Sequence, residues 1–291
     1  MLSATSTREF AGSKFVSTIF LERKLRAHVV RRDRLVYDGR FAPPGKKANA
    51  VAHLYVQLQG TFVPAGGSPV SGRTAWVLDE SEFDRVQPGS RTFRSFGDQA
   101  LVCELRVPTA DLHRAVGMDH GQLALPDSVW EAYGALEATP TETALYALIQ
   151  RLTEAGILSK DLASSIVPNE PERFARLWTV MKPLYEELST SASLKQIATI
   201  ARLSLRQLGR DLGDLSRTFG LFGGGFRDAS RVIRLRAATL FLSAPNATPS
   251  EVARTVGYGS LDAMGRAFRD ANLPSPSVVQ DAVKYRTELA Q

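Results

Sequence analysis

Arg206 and Arg210 lie four residues apart, the spacing that stacks two side chains on one face of a helix. A guanidinium is a planar fork of donors that fits the O6/N7 edge of guanine or the oxygens of a phosphate, so such a pair makes a binding surface and not a reacting centre. Groups suited to reaction chemistry are few. His53 sits in a strand-like run, Leu54-Tyr55-Val56, without the His-x-His pair and later Glu and His of a hard, open metal site. His28, His113 and His120 show no ligand spacing either. Cys103 lies in the apolar run Leu101 to Leu105, where a thiol serves as a small hydrophobe, and no activating His or metal partner stands near it in sequence. Gly223 to Gly225 is not followed by Lys-Ser or Lys-Thr, and Gly257 with Gly259 lacks the third glycine and preceding strand of a dinucleotide fingerprint. The expectation is a binding protein with no catalytic residue, no metal and no cofactor.

The elements that carry the arginines are readable from capping chemistry. Ser193 with Gln196, and Ser204 with Gln207, fit S-x-x-Q, in which the serine oxygen takes an orphan backbone N–H and the glutamine reaches back to the cap. Each marks a helix start. Ile197, Ala198 and Ala201 form one apolar stripe and Leu205, Leu208 and Leu212 another, so two short helices pack on each other. A second unit opens at Thr248-Pro249-Ser250-Glu251, a capping box with proline where its missing N–H costs nothing. Val252, Ala253 and Val256 supply its buried face, Gly257 ends the helix, and Ser260 caps the next, in which Met264, Ala267 and Phe268 face inward. Asp262, Gly265, Arg266 and Arg269 stay outside. Between the units, Phe226, Ala229, Ile233, Ala237, Leu240 and Phe241 recur at steps of three or four, a linking helix that Pro245 and Asn246 terminate. Arg227, Arg231, Arg234 and Arg236 fall largely on its other side.

Charge follows the same division. Residues 191–291 hold 14 Lys and Arg against 8 Asp and Glu, so the whole formal excess of +6 lies there and residues 1–190 are neutral. A basic domain of this kind attracts the phosphate backbone and binds in a salt-dependent way.

Arg234, Leu235, Ala238, Phe241 and Leu242, then Val252, Ala253, Val256, Gly257 and Tyr258, then Arg266, Phe268, Arg269, Ser275 and Pro276 form an ordered series that resembles the DNA-binding domain of the AraC/XylS family of bacterial transcription regulators. The match spans roughly residues 190 to 285. It departs from the family at an insertion near Phe219 to Gly225, at Leu273 where the family has glycine, and at Met264 where it has phenylalanine. The resemblance implies that double-stranded DNA is the partner and that each second helix enters a major groove, the two about 10 base pairs apart on one face. The implied contact residues are Ser204, Arg206, Gln207 and Arg210 in the first unit, and Ser260, Leu261, Asp262, Arg266 and Arg269 in the second. For Arg206 and Arg210 a guanine edge and a phosphate both stand open. Leu261 or Ala263 can meet thymine methyls, Asp262 can accept from cytosine or cap its helix, and Arg266 can hold a base, a phosphate or a neighbouring acid.

The remaining residues have a different texture. Runs rich in β-branched and aromatic residues occur at 15–21, 28–30, 35–37, 51–58, 75–78 and 101–107, separated by turn signals at Asp38-Gly39, Gly66-Gly67, Pro88-Gly89 and Gly97-Asp98. They suggest a small antiparallel sandwich or barrel, where the resemblance implies a cupin-like sensing domain. From about Thr141 the period becomes helical: Leu145, Leu148, Ile149 and Leu152 mark one helix, and Phe174, Leu177, Trp178, Met181 and Leu184 a second starting near Pro171, with apolar faces that either cover the sheet or meet a second subunit. The expected class is α+β, divided into a β-rich sensing or dimerisation domain at 1–140, a helical linker at 141–189 and a double helix-turn-helix domain at 190–291. Met1 to Ser13 lacks a signal-peptide core, no run is long enough for a membrane span, and a single cysteine fits a reducing cytoplasm. The sequence therefore reads as a cytoplasmic, dimeric transcription regulator under a small-molecule effector, touching RNA polymerase if it activates. The alternatives are a ligand-independent dimeric regulator and a cupin-type enzyme fused to a DNA-binding module.

Overall fold

The computed structural model describes residues 1–43, 51–64, 67–79, 93–113, 122–165, 172–188, 193–219, 221 and 225–285. His120, Pro88-Gly89, Gly66, Pro171, Phe222, Gly223 and Gly224 lie outside them. The architecture is α+β. Strands β1 (Leu2–Phe10), β2 (Ser13–Leu21), β3 (Arg26–Asp33), β4 (Tyr37–Asp38), β5 (Val51–Val63), β6 (Val70–Ser71), β7 (Thr74–Asp79) and β8 (Arg94–Pro108) form one antiparallel sheet. The order is β1-β2-β3-β8-β5, with β4 also on β8 and with β6 and β7 on β5. A sandwich or a barrel was expected; the strands form one sheet, which bends. The β5–β8 register slips between Gln57 and Gln59 and again between Gln59 and Thr61, and bulges bend a strand. Gly60 at that bend has φ +105°, and a Cβ there would lie 2.8 Å from the Phe96 carbonyl oxygen, so only glycine fits. Gly97-Asp98, expected as a turn, lies inside β8. Leu35 and Val36 are buried but take no part in a strand; only Tyr37 of that run pairs.

Alternation sends the two faces of the sheet to different partners. Ala27, Val29, Leu54, Val56, Cys103 and Leu105 face helices α1 (Asp127–Ala138), α2 (Glu142–Glu154) and α3 (Lys160–Ser164), meeting Tyr133, Leu145, Leu148 and Leu152 in one apolar core. Each of those leucines is fully buried, and burying one stabilises by roughly 1.5–3 kcal/mol. The helix expected from Thr141 thus covers the sheet, started by the Thr141 hydroxyl accepting the Ala144 N–H. Neither α1 nor α3 was expected from the sequence. The opposite face receives α4 (Glu172–Glu187), whose Phe174, Leu177, Trp178 and Met181 pack with Leu2, Ala4, Ile19 and Leu21.

Six helices follow: α5 (Leu194–Ala201), α6 (Leu205–Phe219), α7 (Phe226–Phe241), α8 (Pro249–Thr255), α9 (Leu261–Asp270) and α10 (Pro276–Val283). Leu208, Leu212, Leu215 and Phe219 of α6 join the α4 core, while Phe15 and Val30 of the sheet pack with Leu235 and Phe241 of α7 and with Val252, Met264 and Phe268. Hydrogen bonds tie these layers together. Trp178 Nε1 donates to the Ser3 carbonyl at 3.0 Å, Ser6 Oγ to the Glu186 carbonyl at 2.7 Å, and Tyr285 Oη to Asp98 at 2.9 Å. No helix among the described residues is long and apolar enough to cross a membrane.

Candidate nucleic-acid interface

Helices α5 and α6 form the first unit. Ser193 Oγ accepts the Gln196 N–H at 3.2 Å, and Gln196 Oε1 accepts the Ser193 N–H at 2.7 Å, closing the capping box that the sequence spacing implied. Arg202 takes the left-handed conformation at φ +55°, and the Leu203 N–H reaches back to the Ala198 carbonyl at 2.9 Å. Two residues later Ser204 Oγ accepts the Gln207 N–H at 3.2 Å and starts α6. In the second unit Thr248 and Glu251 close a box around Pro249, Gly257 turns the chain at φ +82°, and the Tyr258 N–H bonds the Ala253 carbonyl at 2.8 Å. Ser260 Oγ then accepts the Ala263 N–H at 3.1 Å to start α9. Both units have the same plan: a boxed first helix, a left-handed turn with a back-bond, and a serine-capped second helix. The linking helix α7 runs between them and ends at Phe241, four residues before Pro245.

Counting from the two serines aligns α6 with α9. Leu208 and Met264 fall together, as do Leu212 and Phe268, and all four are buried. The exposed faces also correspond: Leu205 with Leu261, Arg206 with Asp262, Gly209 with Gly265, and Arg210 with Arg266. The pattern Ser-Leu-x-x-apolar-Gly-Arg occurs at 204–210 and at 260–266. Leu205, expected in the buried stripe with Leu208 and Leu212, is instead exposed, which hides the repeat from a reading by apolar stripes. Leu205 is 57% exposed although it shares the phase of Leu208 and Leu212, since as the first helical residue after its cap it lies at the end of the helix, beyond the turns that are packed. Aligning the two segments on their cap serines would have revealed the repeat.

Ser204, Arg206, Gln207 and Arg210 are all exposed on the first unit, and Ser260, Leu261, Asp262, Arg266 and Arg269 on the second. Among the described residues none of Arg206, Arg210, Arg266 and Arg269 has a carboxylate within ion-pair distance, whereas Arg217 pairs with Asp214 and Arg231 with Asp228. Uncommitted guanidinium groups on the exposed faces of α6 and α9 present donors and positive charge, which suits phosphate oxygens and guanine edges. Gly209 and Gly265 are mid-helix, where glycine is about 1 kcal/mol less favourable than alanine. Neither has positive φ, and a Cβ on either would meet nothing within 4 Å. The fold itself does not require glycine at these two places. Arg234 and Arg236 of α7, expected outside, are half-buried, Arg234 with its guanidinium 6.0 Å from the centre of the Tyr258 ring.

The sheet face that meets α7 carries buried and half-buried polar groups. Ser17 Oγ and His28 Nε2 share a hydrogen bond of 2.7 Å, His53 pairs with Glu104, and Arg32 donates to Ser95 Oγ at 2.8 Å and Tyr55 Oη at 3.3 Å. Burial lowers the His28 pKa to about 4; Glu104 opposes that shift, and Arg26, Arg236 and Arg32 add to it. Burial alone would raise the Glu104 carboxyl, but His53, Arg26 and His28 hold it well below the usual carboxylate range. On the other face, burial pushes the Cys103 thiol far up, so it is an unreactive core group. No three His, Cys, Asp or Glu side chains among the described residues are grouped to hold a metal ion.

No protein-family model and no curated protein matches the chain. Solved structures do align with it. ToxT from Vibrio cholerae covers 88% of this chain and 98% of its own at 9% identity and a TM-score of 0.38. An unsaturated fatty acid bound wild-type ToxT from strain SCE256 covers 94% and 99% at 13% identity and a TM-score of 0.37. The AraC-like transcriptional activator CuxR covers 88% and 92% at 13% identity and a TM-score of 0.31.

Proposed function

We propose that the chain is a sequence-specific, double-stranded DNA-binding transcription regulator, as its resemblance to the AraC/XylS family implies. One observation carries the reading: two helix-turn-helix units of the same plan present equivalent exposed faces with uncommitted arginines, within the segment that holds the chain's entire positive excess. In this reading α6 and α9 each enter a major groove. Ser204, Arg206, Gln207 and Arg210 make the stronger contact set, and Ser260, Leu261, Asp262, Arg266 and Arg269 the weaker, since Asp262 repels phosphate. Binding and switching are assigned to the chain, not catalysis.

The functional division runs through 1–140 as the sensing or dimerisation part, 141–189 as the connecting helices and 190–291 as the DNA-reading part. The site suggested for a small-molecule effector is the polar cluster of Arg26, His28, Arg32 and Glu104, because it shares the sheet face on which Val30 packs with Leu235 of α7. In this reading a molecule bound at that face alters the seating of α7 and hence of both units. A homodimer in the cytoplasm, contacting RNA polymerase when it activates, completes the proposal. A ligand-independent regulator is the second reading, favoured by the way the sheet fills its own bend: Phe62 stacks on Trp76 at 4.9 Å and on Phe93 at 5.1 Å, with Tyr55 4.5 Å from Phe93.

The test is binding of the full chain to a pool of random duplexes across a salt series. Retention at low salt with a steep loss as salt rises is expected; salt-insensitive retention, or none, overturns the proposal. Unfolding the chain, dialysing and refolding it removes any bound small molecule, and unchanged affinity for a selected duplex afterwards decides for the ligand-independent reading.

A further inference from the structure

Four large hydrophobic side chains stand exposed among the described residues: Ile200, Leu205, Leu261 and Val278. Single exposed hydrophobic residues are ordinary on a protein surface. Here two of the four, Leu205 at 57% and Leu261 at 37%, hold the same position in the two units, the first helical residue after the capping serine. Each also has glycine four residues on, Gly209 and Gly265, which places that glycine beside the leucine on the helix surface. The space over both glycines is open, so their missing side chains relieve no crowding within the protein. Twice over, therefore, an apolar side chain and a bare stretch of helix backbone adjoin at the start of the helix that carries Arg210 or Arg266.

Given the duplex-binding reading above, on which this inference rests, the apolar feature that a major groove offers is the thymine C5-methyl group. We propose that Leu205 and Leu261 each seat against a thymine methyl, with Gly209 and Gly265 clearing the helix surface so that each helix lies close to the base edges. The two recognition helices then share one element of specificity, a thymine apiece about 10 base pairs apart. What differs between the half-sites comes from the neighbouring position, Arg206 in one helix and Asp262 in the other. Glycine at 209 and 265 lowers the helix propensity of both segments, and close approach to an external partner is the physical return for it.

The experiment uses the full chain and duplexes selected from a random pool. Each thymine of a selected duplex is replaced in turn by deoxyuridine, which removes only the methyl group. Wild type is expected to lose about fourfold in affinity at two positions, the effect of one buried methyl. Leu205→Ala abolishes the sensitivity at one of them and Leu261→Ala at the other. Gly209→Ala and Gly265→Ala raise the melting temperature by about 2–4 °C yet weaken the selected duplex. The comparison is Gly134→Ala in α1, also helical with open space above it, which stabilises without changing DNA affinity. Deoxyuridine tolerated at every thymine, sensitivity that survives both leucine changes, or alanine at 209 and 265 binding as well as glycine overturns the inference. Those results with salt-dependent duplex binding intact leave the regulator reading standing; loss of all salt-dependent binding removes both.

Discussion

The hydroxyl of Ser243, just beyond the end of α7, accepts the backbone N–H of Val36 at 2.9 Å across 207 residues of chain. Both residues are buried, and the same hydroxyl donates to the Leu240 carbonyl at 2.6 Å while the Ser243 carbonyl accepts the Tyr285 N–H at 2.8 Å. One side chain thus holds the loop before β4 against the hinge between the two helix-turn-helix units. Ser243→Ala removes the only acceptor shown for the Val36 N–H and leaves a small void. The expected cost is about 1–3 kcal/mol, the penalty of an unsatisfied buried donor. Chemical denaturation of the full chain measures it, and a variant within about 0.5 kcal/mol of wild type would show that relaxation replaces the bond.

The same boundary makes stability depend on pH through His28. In the unfolded chain this ring takes up a proton near pH 6.5; folded, it does so only near pH 4, because burial opposes the charge. Below pH 6.5 the unfolded state therefore binds more protons, and stability falls as pH drops towards 4. Between pH 7.5 and 5 the loss due to this group is about 2 kcal/mol. Glu104, held below the ordinary carboxylate range, stays ionised across that window and contributes its own loss only under more acid conditions. His28→Gln should flatten the wild-type decline in denaturation midpoint between pH 7.5 and 5. Parallel declines in the two proteins would assign the proton uptake to another group.

What the sequence disclosed depended on how local the signal was. Both helix-turn-helix units were legible because their caps, turn glycine and buried stripes lie within a few residues of one another, and Ser193, Thr248 and Ser260 do what their spacing implied. Strand β1 was not, since its buried positions are Leu2, Ala4 and Ser6, two of them too small or polar to register as an apolar alternation. Helix α1 was missed although Val129, Tyr133 and Leu136 recur at helical steps, because Pro126 gives no side-chain cap to mark its start. Leu205 was misassigned because three leucines at 205, 208 and 212 look like one stripe, and only the place of the cap shows that the first stands apart. The hydrogen bond from Val36 to Ser243 joins residues 207 apart in sequence, which no periodicity can reveal.

Arg206 and Arg210 provide the separation of base reading from backbone holding. They lie one helical turn apart on an exposed face, without carboxylate partners among the described residues, so both guanidinium groups can enter one groove. A bidentate arginine–guanine contact is worth roughly 1–3 kcal/mol of discrimination, whereas loss of a phosphate contact weakens all sequences alike and lowers the salt slope by about one unit. Because both side chains are exposed, alanine at either position leaves the fold within about 0.5 kcal/mol of wild type, so a change in binding is not a change in folding. Arg206→Ala and Arg210→Ala should each reduce affinity for a selected duplex by about 5- to 150-fold while barely changing affinity for random DNA, with relaxed preference at one or two base pairs. Equal losses on both DNAs, accompanied by the smaller salt slope, would assign the two arginines to phosphates and leave sequence reading to Leu205, Gln207 and the second unit.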